Sequence, residues 1–363
     1  MPAVSVMMKP SSGMCNMSCA YCFYRDECSK RGREMYGFMT EETLKNIIRK
    51  TMANARGTVS FAYQGGEPSL AGLDFFEKAV WYQKRYNRKG LRVFNAFQTN
   101  GLEIDENWCR FFAKNHFLVG LSVDGIKSTH DAYRRDSRGN GTYDRVLHTA
   151  GLMDWYGVDY NILTVVNRET AGHITEIYQE YRRLGWKYQQ YIACIEPIKE
   201  ERGKQPYSIF PRQYGMFLER LFELWDQDRR KGRAPYIRQF DNYAGILKGY
   251  LPESCEQRGV CSVQTAVEAD GSVYPCDFYM LDEYRIGNFN EDKFSEIEEN
   301  RRNSDFIKNS GKLAPECGVC EYYSLCRGGC FRHREPVPGG DYYKNYFCEG
   351  YRLFFDQCRE RMG

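Results

Sequence analysis

The 363-residue chain predicts an α/β fold of parallel strands, followed by a C-terminal segment organised around cysteine. Three observations lead there. In the first half, six short runs rich in Val, Ile, Phe and Tyr alternate with stretches of helical periodicity. From Cys255 onward that periodicity fades, and glycine and cysteine dominate. Finally, the chain carries 15 cysteines although its length allows it to bury a core without disulfide staples.

The elements follow in order. Runs 4–8, 59–63, 93–97, 117–122, 160–166 and 188–192 read as strands. Thr40 can cap a helix whose Leu44, Ile47, Ile48 and Met52 share one face. Val146, Ala150 and Met153 repeat that spacing, as do Ile174, Ile177, Tyr178 and Tyr181. Cys109 falls in an aromatic helix, 108–113, and reads as a small core residue. Strands alternating with helices imply βα units and parallel pairing, in a barrel or a doubly wound sheet. The pattern alone does not choose between them. Segment 196–211 is a polar connection, and 211–230 is one amphipathic helix with Phe217, Leu221, Leu224 and Trp225 inward. Residues 266–268 and 273–275 flank Ala269-Asp270-Gly271-Ser272 and read as a hairpin with an Asp-Gly turn. The last hundred residues read as a segment organised by metal rather than by a large apolar core.

Composition excludes several classes. Lys and Arg total 51 against 48 Asp and Glu, a net charge of +3, without the basic footprint of a general nucleic-acid binder. No apolar run is long enough to span a membrane. The N-terminal stretch lacks the cationic lead and apolar core of a signal peptide. A cytoplasmic protein whose cysteines serve as thiolates is expected, with neither nucleic acid nor membrane as partner.

The chemistry-bearing residues fall in three places. Cys15-x3-Cys19-x2-Cys22 follows the first strand, and three thiolates this close can surround one metal centre while leaving a position open. Cys28 is the alternative fourth ligand, which would close the site into a structural knuckle. Gly65-Gly66-Glu67-Pro68 ends the second strand; alone it is an ordinary turn, but glycine also lets backbone approach a ligand closely. Eight further cysteines, at 255, 261, 276, 317, 320, 326, 330 and 348, suffice for two four-thiolate sites, iron–sulfur or zinc. Cys28, Cys109, Cys194 and Cys358 remain unassigned. The five histidines show no zinc-protease spacing, and His333 reads as a loop residue.

A Cys-x3-Cys-x2-Cys loop with an aromatic after the last cysteine, one βα unit before Gly-Gly-Glu-Pro, resembles the radical S-adenosylmethionine (SAM) superfamily. The resemblance implies a partial (βα)6 TIM-like barrel over 1–195, a helical linker region over 196–254 and a cysteine-rich C-terminal domain over 255–363. It implies a 4Fe–4S cluster on Cys15, Cys19 and Cys22 whose open iron chelates SAM. Electron transfer then cleaves SAM to methionine and a 5′-deoxyadenosyl radical. By the same resemblance Gly65, Gly66 and Glu67 receive the SAM amino group, and Ser122 and Arg134 serve its ribose and carboxylate, with Arg135 as Arg134's alternative. Tyr21, inside the cysteine loop, would also contact the cofactor, and Ile195, just past the sixth strand, would wall the adenine. Such groups should collect at the C-terminal ends of the strands. The eight-cysteine pattern resembles the SPASM domain, in which two auxiliary 4Fe–4S clusters would bring the total to three. Cys255, Cys261, Cys276 and Cys330 would hold one, and Cys317, Cys320, Cys326 and Cys348 the other.

A narrower likeness rests on Ser-Ser-Gly-Met-Cys15, Cys22-Phe-Tyr-Arg25, Gln64-Gly-Gly-Glu-Pro-Ser-Leu-Ala-Gly72 and Tyr274-Pro-Cys-Asp-Phe-Tyr279. Together they resemble anaerobic sulfatase-maturating enzymes. Those oxidise a Cys or Ser of a sulfatase, in a Cys/Ser-x-Pro-x-Arg context, to Cα-formylglycine. The resemblance implies Asp277 as the base and an auxiliary cluster as electron acceptor; Tyr24 and Gln64, placed beside the cysteine loop and the Gly-Gly-Glu segment, are candidates to line the substrate pocket. It also implies a reducing donor such as flavodoxin or ferredoxin. One alternative is a SPASM peptide maturase that forms thioether or carbon–carbon crosslinks; Cys15 coming almost at once, with no peptide-binding domain before it, disfavours that. The other is a non-catalytic zinc- or cluster-binding scaffold, which would release no 5′-deoxyadenosine.

Overall fold

Six parallel strands carry the first half of the chain: β1 (Val4–Met8), β2 (Thr58–Tyr63), β3 (Arg92–Thr99), β4 (Phe117–Ser122), β5 (Asp159–Val166) and β6 (Tyr188–Ala193). The structure is a computed structural model describing residues 4–261 and 264–362; residues 1–3 of the N-terminal stretch, and 262, 263 and 363 of the C-terminal segment, lie outside it. The strands lie side by side in chain order. A doubly wound sheet would reverse direction at a switch point. Sequential order therefore selects barrel winding, the choice that periodicity left open.

The sheet continues past both ends of this array. β7 (Tyr236–Ile237) pairs parallel with β6, and β8 (Ala266–Val267) pairs parallel with β1. β9 (Ser272–Tyr274) and β10 (Gly287–Asn288) follow in antiparallel pairing. β1 and β6 are thus flanked by added strands rather than by each other, and the barrel stays open.

Strand alternation assigns the two faces. Val6, Met8, Val59, Phe61 and Tyr63 are fully buried against the outer helices, in one core with Leu44, Ile47 and Ile48. Their alternates, Ser5 and Met7 among them, point into the concave interior. Helix Glu41–Asn54 starts where expected: Thr40 Oγ1 accepts from Thr43 N at 3.2 Å. Helices Tyr143–Tyr156 and Ile174–Arg183 bury the predicted faces, and Cys109 is fully buried. Among the described residues no helix is long and apolar enough to cross a membrane.

Two expectations are revised. The region read as a helical linker contributes β7 to the sheet, and its helix Pro211–Arg229 buries Phe217, Leu221 and Trp225 in the main core, with Leu224 half-buried. The C-terminal segment is not organised by cysteine alone. Helix Cys348–Cys358 buries Tyr351, Phe354 and Phe355 in the same core, packed on Pro211–Arg229. That partnership spans a long stretch of sequence, so local periodicity could not announce it. The helices meet through glycine. A Cβ on Gly350 would stand 2.2 Å from the Pro211 carbonyl oxygen, and one on Gly215 would stand 2.6 Å from that of Gly350. Gly350→Ala must push the helices apart. It is expected to cost about 1–3 kcal/mol, read as a lowered denaturation midpoint.

Candidate active site

The loop after β1 carries Cys15, Cys19 and Cys22 across the C-terminal mouth of the open barrel, and the Gly65-Gly66 turn after β2 supports it. A Cβ on Gly66 would lie 2.2 Å from Met14 O and 2.7 Å from Ser12 O, and one on Gly65 would lie 2.0 Å from Lys9 Cδ. Both have positive φ, +85° at Gly65 and +48° at Gly66. Only glycine meets both demands. Glu67 N donates to Met14 O at 2.8 Å, completing the seam.

The Glu67 side chain is spent on structure. Oε1 accepts from Ser69 N, Ser69 Oγ and Thr99 Oγ1 at 3.1, 2.7 and 2.8 Å, and Oε2 accepts from Asn100 N at 2.8 Å. Burial raises its carboxyl above the ordinary value, and these donors draw it partly back. Glu67 therefore ties the ends of β2 and β3 together beneath the cysteine loop. Contact with a ligand from this segment falls to backbone.

A cavity of about 540 Å³ opens beside the loop and extends down the barrel interior. Its wall contains Tyr21, Tyr24, Gln64, Gly65, Gly66, Glu67, Ser122, Arg134, Ile195 and Asp277. Cys15, Cys19 and Cys22 share that wall with Cys255 and Cys330. Asp277 is buried, and Gln64 Nε2 donates to its Oδ2 at 3.3 Å. Burial pushes the Asp277 carboxyl up, while the Lys9 ammonium pulls it part of the way back. Arg134 is buried and Arg135 exposed, so the wall position belongs to Arg134.

Several supporting residues escaped sequence reasoning. Asp124 accepts a hydrogen bond from the Tyr21 hydroxyl, pairs with Arg134 Nε at 3.0 Å and accepts from Val165 N at 2.9 Å. One buried carboxylate thus orients both residues; the available signal was an Asp-Gly pair just past a strand end. Tyr24 donates to Glu268, which also pairs with buried Arg31 at 2.6 Å. Lys9 is fully buried, its Nζ lacks a hydrogen-bond partner, and it stands 4.5 Å above the Tyr24 ring.

All fifteen thiols are free of disulfides. The four unassigned ones, Cys28, Cys109, Cys194 and Cys358, are the four buried ones, whereas the eleven candidate ligands keep some exposure. Cys28 packs with Tyr24, Ala266, Tyr274 and Met280 and accepts from Arg31 at 2.8 Å, away from the cavity wall. Burial, reinforced by Glu67, pushes the Cys15 thiol up to about 12, and burial brings Cys19 to about 11 against the pull of Arg134. Metal coordination deprotonates such thiols, so this donor set fits an iron–sulfur group. The remaining eight fall into two neighbourhoods. Cys330 feels Cys255 and Cys261, and Cys276 feels Cys330 and Cys261. Cys326 feels Cys348, Cys317 and Cys320. Among the described residues no three Cys, His, Asp or Glu side chains converge on single-ion geometry, so these sets are neighbourhoods rather than closed single-ion sites.

An open barrel with a three-cysteine loop at its mouth, followed by a cysteine-rich domain, defines a radical SAM enzyme. Residues 10–181 match the Radical SAM superfamily, and residues 255–321 match an iron–sulfur cluster-binding domain. The cysteine-type anaerobic sulfatase-maturating enzyme of Clostridium perfringens (strain 13 / Type A) is 43% identical, covering 100% of this chain and 98% of that one. The serine-type enzyme of Bacteroides thetaiotaomicron is 29% identical over 96% of this chain and 88% of its own. A solved structure described as native anSMEcpe with bound AdoMet and Cp18Cys peptide superposes with a TM-score of 0.94 at 42% identity, covering 99% of this chain and 98% of that one. The chain belongs to the anaerobic sulfatase-maturating enzymes, a family of radical SAM oxidoreductases.

Proposed function

We propose that the chain oxidises a cysteine of a sulfatase polypeptide, in a Cys-x-Pro-x-Arg context, to Cα-formylglycine without oxygen. It binds SAM and iron–sulfur; our reading is three 4Fe–4S clusters, on Cys15, Cys19 and Cys22, on Cys255, Cys261, Cys276 and Cys330, and on Cys317, Cys320, Cys326 and Cys348. A barrel unit 1–195, a segment 196–254 that extends its sheet through β7, and a C-terminal unit 255–363 whose last helix docks on that segment, with a cytoplasmic location and flavodoxin or ferredoxin as electron donor, complete it. Greater identity to cysteine-type relatives, 42–43% against 29–31% for the serine type, favours Cys over Ser. The observation that carries the reading is the single cavity wall shared by the three-cysteine loop, Arg134, Asp277 and two C-terminal cysteines.

When bound, the cofactors supply an abstractor for the Cβ hydrogen and an acceptor for one electron. The protein's residues do the rest. Tyr21 and Arg134, fixed by Asp124, bind and orient SAM beside the cysteine loop, with Ser122 and Ile195 across from them. Tyr24, its hydroxyl held by Glu268, and Gln64 seat the substrate. Asp277, oriented by Gln64, takes the thiol proton. Loss of one hydrogen atom, one proton and one electron converts the thiol-bearing methylene to a thioaldehyde. Water then replaces sulfur and releases hydrogen sulfide.

The test is anaerobic turnover with SAM, dithionite and matched Cys and Ser peptides, read by mass spectrometry. Conversion of the thiol side chain to an aldehyde with concurrent 5′-deoxyadenosine is expected, faster for Cys than for Ser. If 5′-deoxyadenosine appears while both peptides stay intact, the substrate assignment is wrong.

A further inference from the structure

Arg334 lies four residues past Cys330, is buried, and donates only to backbone carbonyls. Nη1 reaches Ser310 O at 2.6 Å, Nε reaches Gly328 O at 2.8 Å, and Nη2 reaches Gly329 O at 2.8 Å and Gly259 O at 3.3 Å. Three of the four acceptors lie in cysteine loops, and the fourth, Ser310, ends helix Asp305–Ser310 and is tied to one of them. Gly259 precedes Cys261 by two residues, and the Ser310 hydroxyl accepts from Cys261 N at 2.9 Å. Gly328 and Gly329 join Cys326, in one thiol neighbourhood, to Cys330, in the other. Cysteines of both neighbourhoods act on it electrostatically, Cys261 and Cys330 from one and Cys326 and Cys317 from the other. Buried Arg31 and Arg134 each have a carboxylate, yet among the described residues Arg334 has none. Burying a guanidinium without a carboxylate costs free energy that a nearby anionic group would offset. Local packing keeps it there. A Cβ on Gly328 would stand 2.4 Å from Leu313 Cδ2 and 3.2 Å from Arg334 Cζ, and Asn345, its ladder partner, donates to Gly328 O at 3.0 Å.

We propose that Arg334 is the shared counter-cation of the two C-terminal iron–sulfur sites and raises both reduction potentials. The proposal rests on reading the eight thiols as two clusters. Reducing either cluster by one electron adds one negative charge, and a fixed cation between them favours both reduced states, more strongly in a low-dielectric interior than in water. In turnover the electron leaves the substrate radical, which is oxidised as its thiol proton passes to Asp277, and one C-terminal cluster is reduced. Arg334 lies off the cavity wall; it is a positioning residue for charge.

The experiment compares the full chain with Arg334→Gln and Arg334→Lys, reconstituted anaerobically, by iron and sulfide content and by potentiometric titration followed by electron paramagnetic resonance. Iron for fewer than three clusters in the unsubstituted protein would overturn the reading of two C-terminal clusters, separately from the role of Arg334. With all clusters present, Arg334→Gln is expected to move both C-terminal potentials to more negative values and leave the N-terminal one in place. Arg334→Lys should shift them less. Formylglycine per 5′-deoxyadenosine should fall several-fold in Arg334→Gln. Unchanged potentials in a fully loaded Gln variant, or a shift at one site only, would refute the shared role. If the Gln variant loses iron, the Lys variant decides. Full loading with both potentials retained supports the charge, whereas loss of iron there too reduces Arg334 to a folding residue and overturns the proposal.

Discussion

Alanine at any one of Cys15, Cys19 or Cys22 is expected to reduce 5′-deoxyadenosine formation to background. With two thiols left, the loop cannot hold three irons of a cluster while leaving the fourth open. Nearby thiols offer no substitute: Cys28 is engaged by Arg31 and lies off the cavity wall. Because the eight C-terminal cysteines stand apart from this loop in sequence, iron should fall by about one cluster's share rather than vanish. High-performance chromatography for 5′-deoxyadenosine, with iron analysis on the same samples, reads both. Normal SAM cleavage in any of the three variants would remove this loop from the chemistry.

Asp277→Asn should separate two activities that run together in the unsubstituted enzyme. Asparagine matches the carboxylate in shape and can still accept from Gln64, but it cannot take a proton. SAM cleavage should persist, since among the described residues Asp277 forms no hydrogen bond or ion pair with the loop cysteines or with the Asp124–Arg134 pair. Formylglycine yield should drop by about 10²–10⁴-fold, the usual worth of a positioned general base. The ratio of formylglycine to 5′-deoxyadenosine is the sensitive quantity. An unchanged ratio would clear Asp277 of the role. Gln64 would then be an orienting group without a base to orient.

Residues that announced themselves share one property: their neighbours in sequence are their neighbours in function. The three cysteines fall within eight residues because a single loop wraps one centre, and Gly65-Gly66 stands out because the backbone there must touch Met14. Thr40 and its helix were legible for the same reason. What stayed hidden depends on partners far apart. Glu268 is ordinary until folding sets it against Tyr24, 244 residues away, and Arg31, 237 away. Asp124 becomes an organiser only because the loop after β1 and the segment after β4 converge on it. Lys9 lies one residue past the first strand, and only folding buries it beside Asp277.

Residue order alone therefore specified the strand–helix alternation, the cysteine loop and the candidate chemistry-bearing residues of the cavity. Helical and strand periodicities, turn residues and ligand spacings are local properties that a linear chain can display. Tertiary structure decided the rest: barrel winding over a doubly wound sheet, the docking of helix Cys348–Cys358 on Pro211–Arg229, Arg134 rather than Arg135 at the wall, and the sorting of eight thiols into two neighbourhoods with Arg334 between them. These depend on which distant surfaces exclude water together and which buried charges find a partner, and neither is settled until the chain has closed on itself.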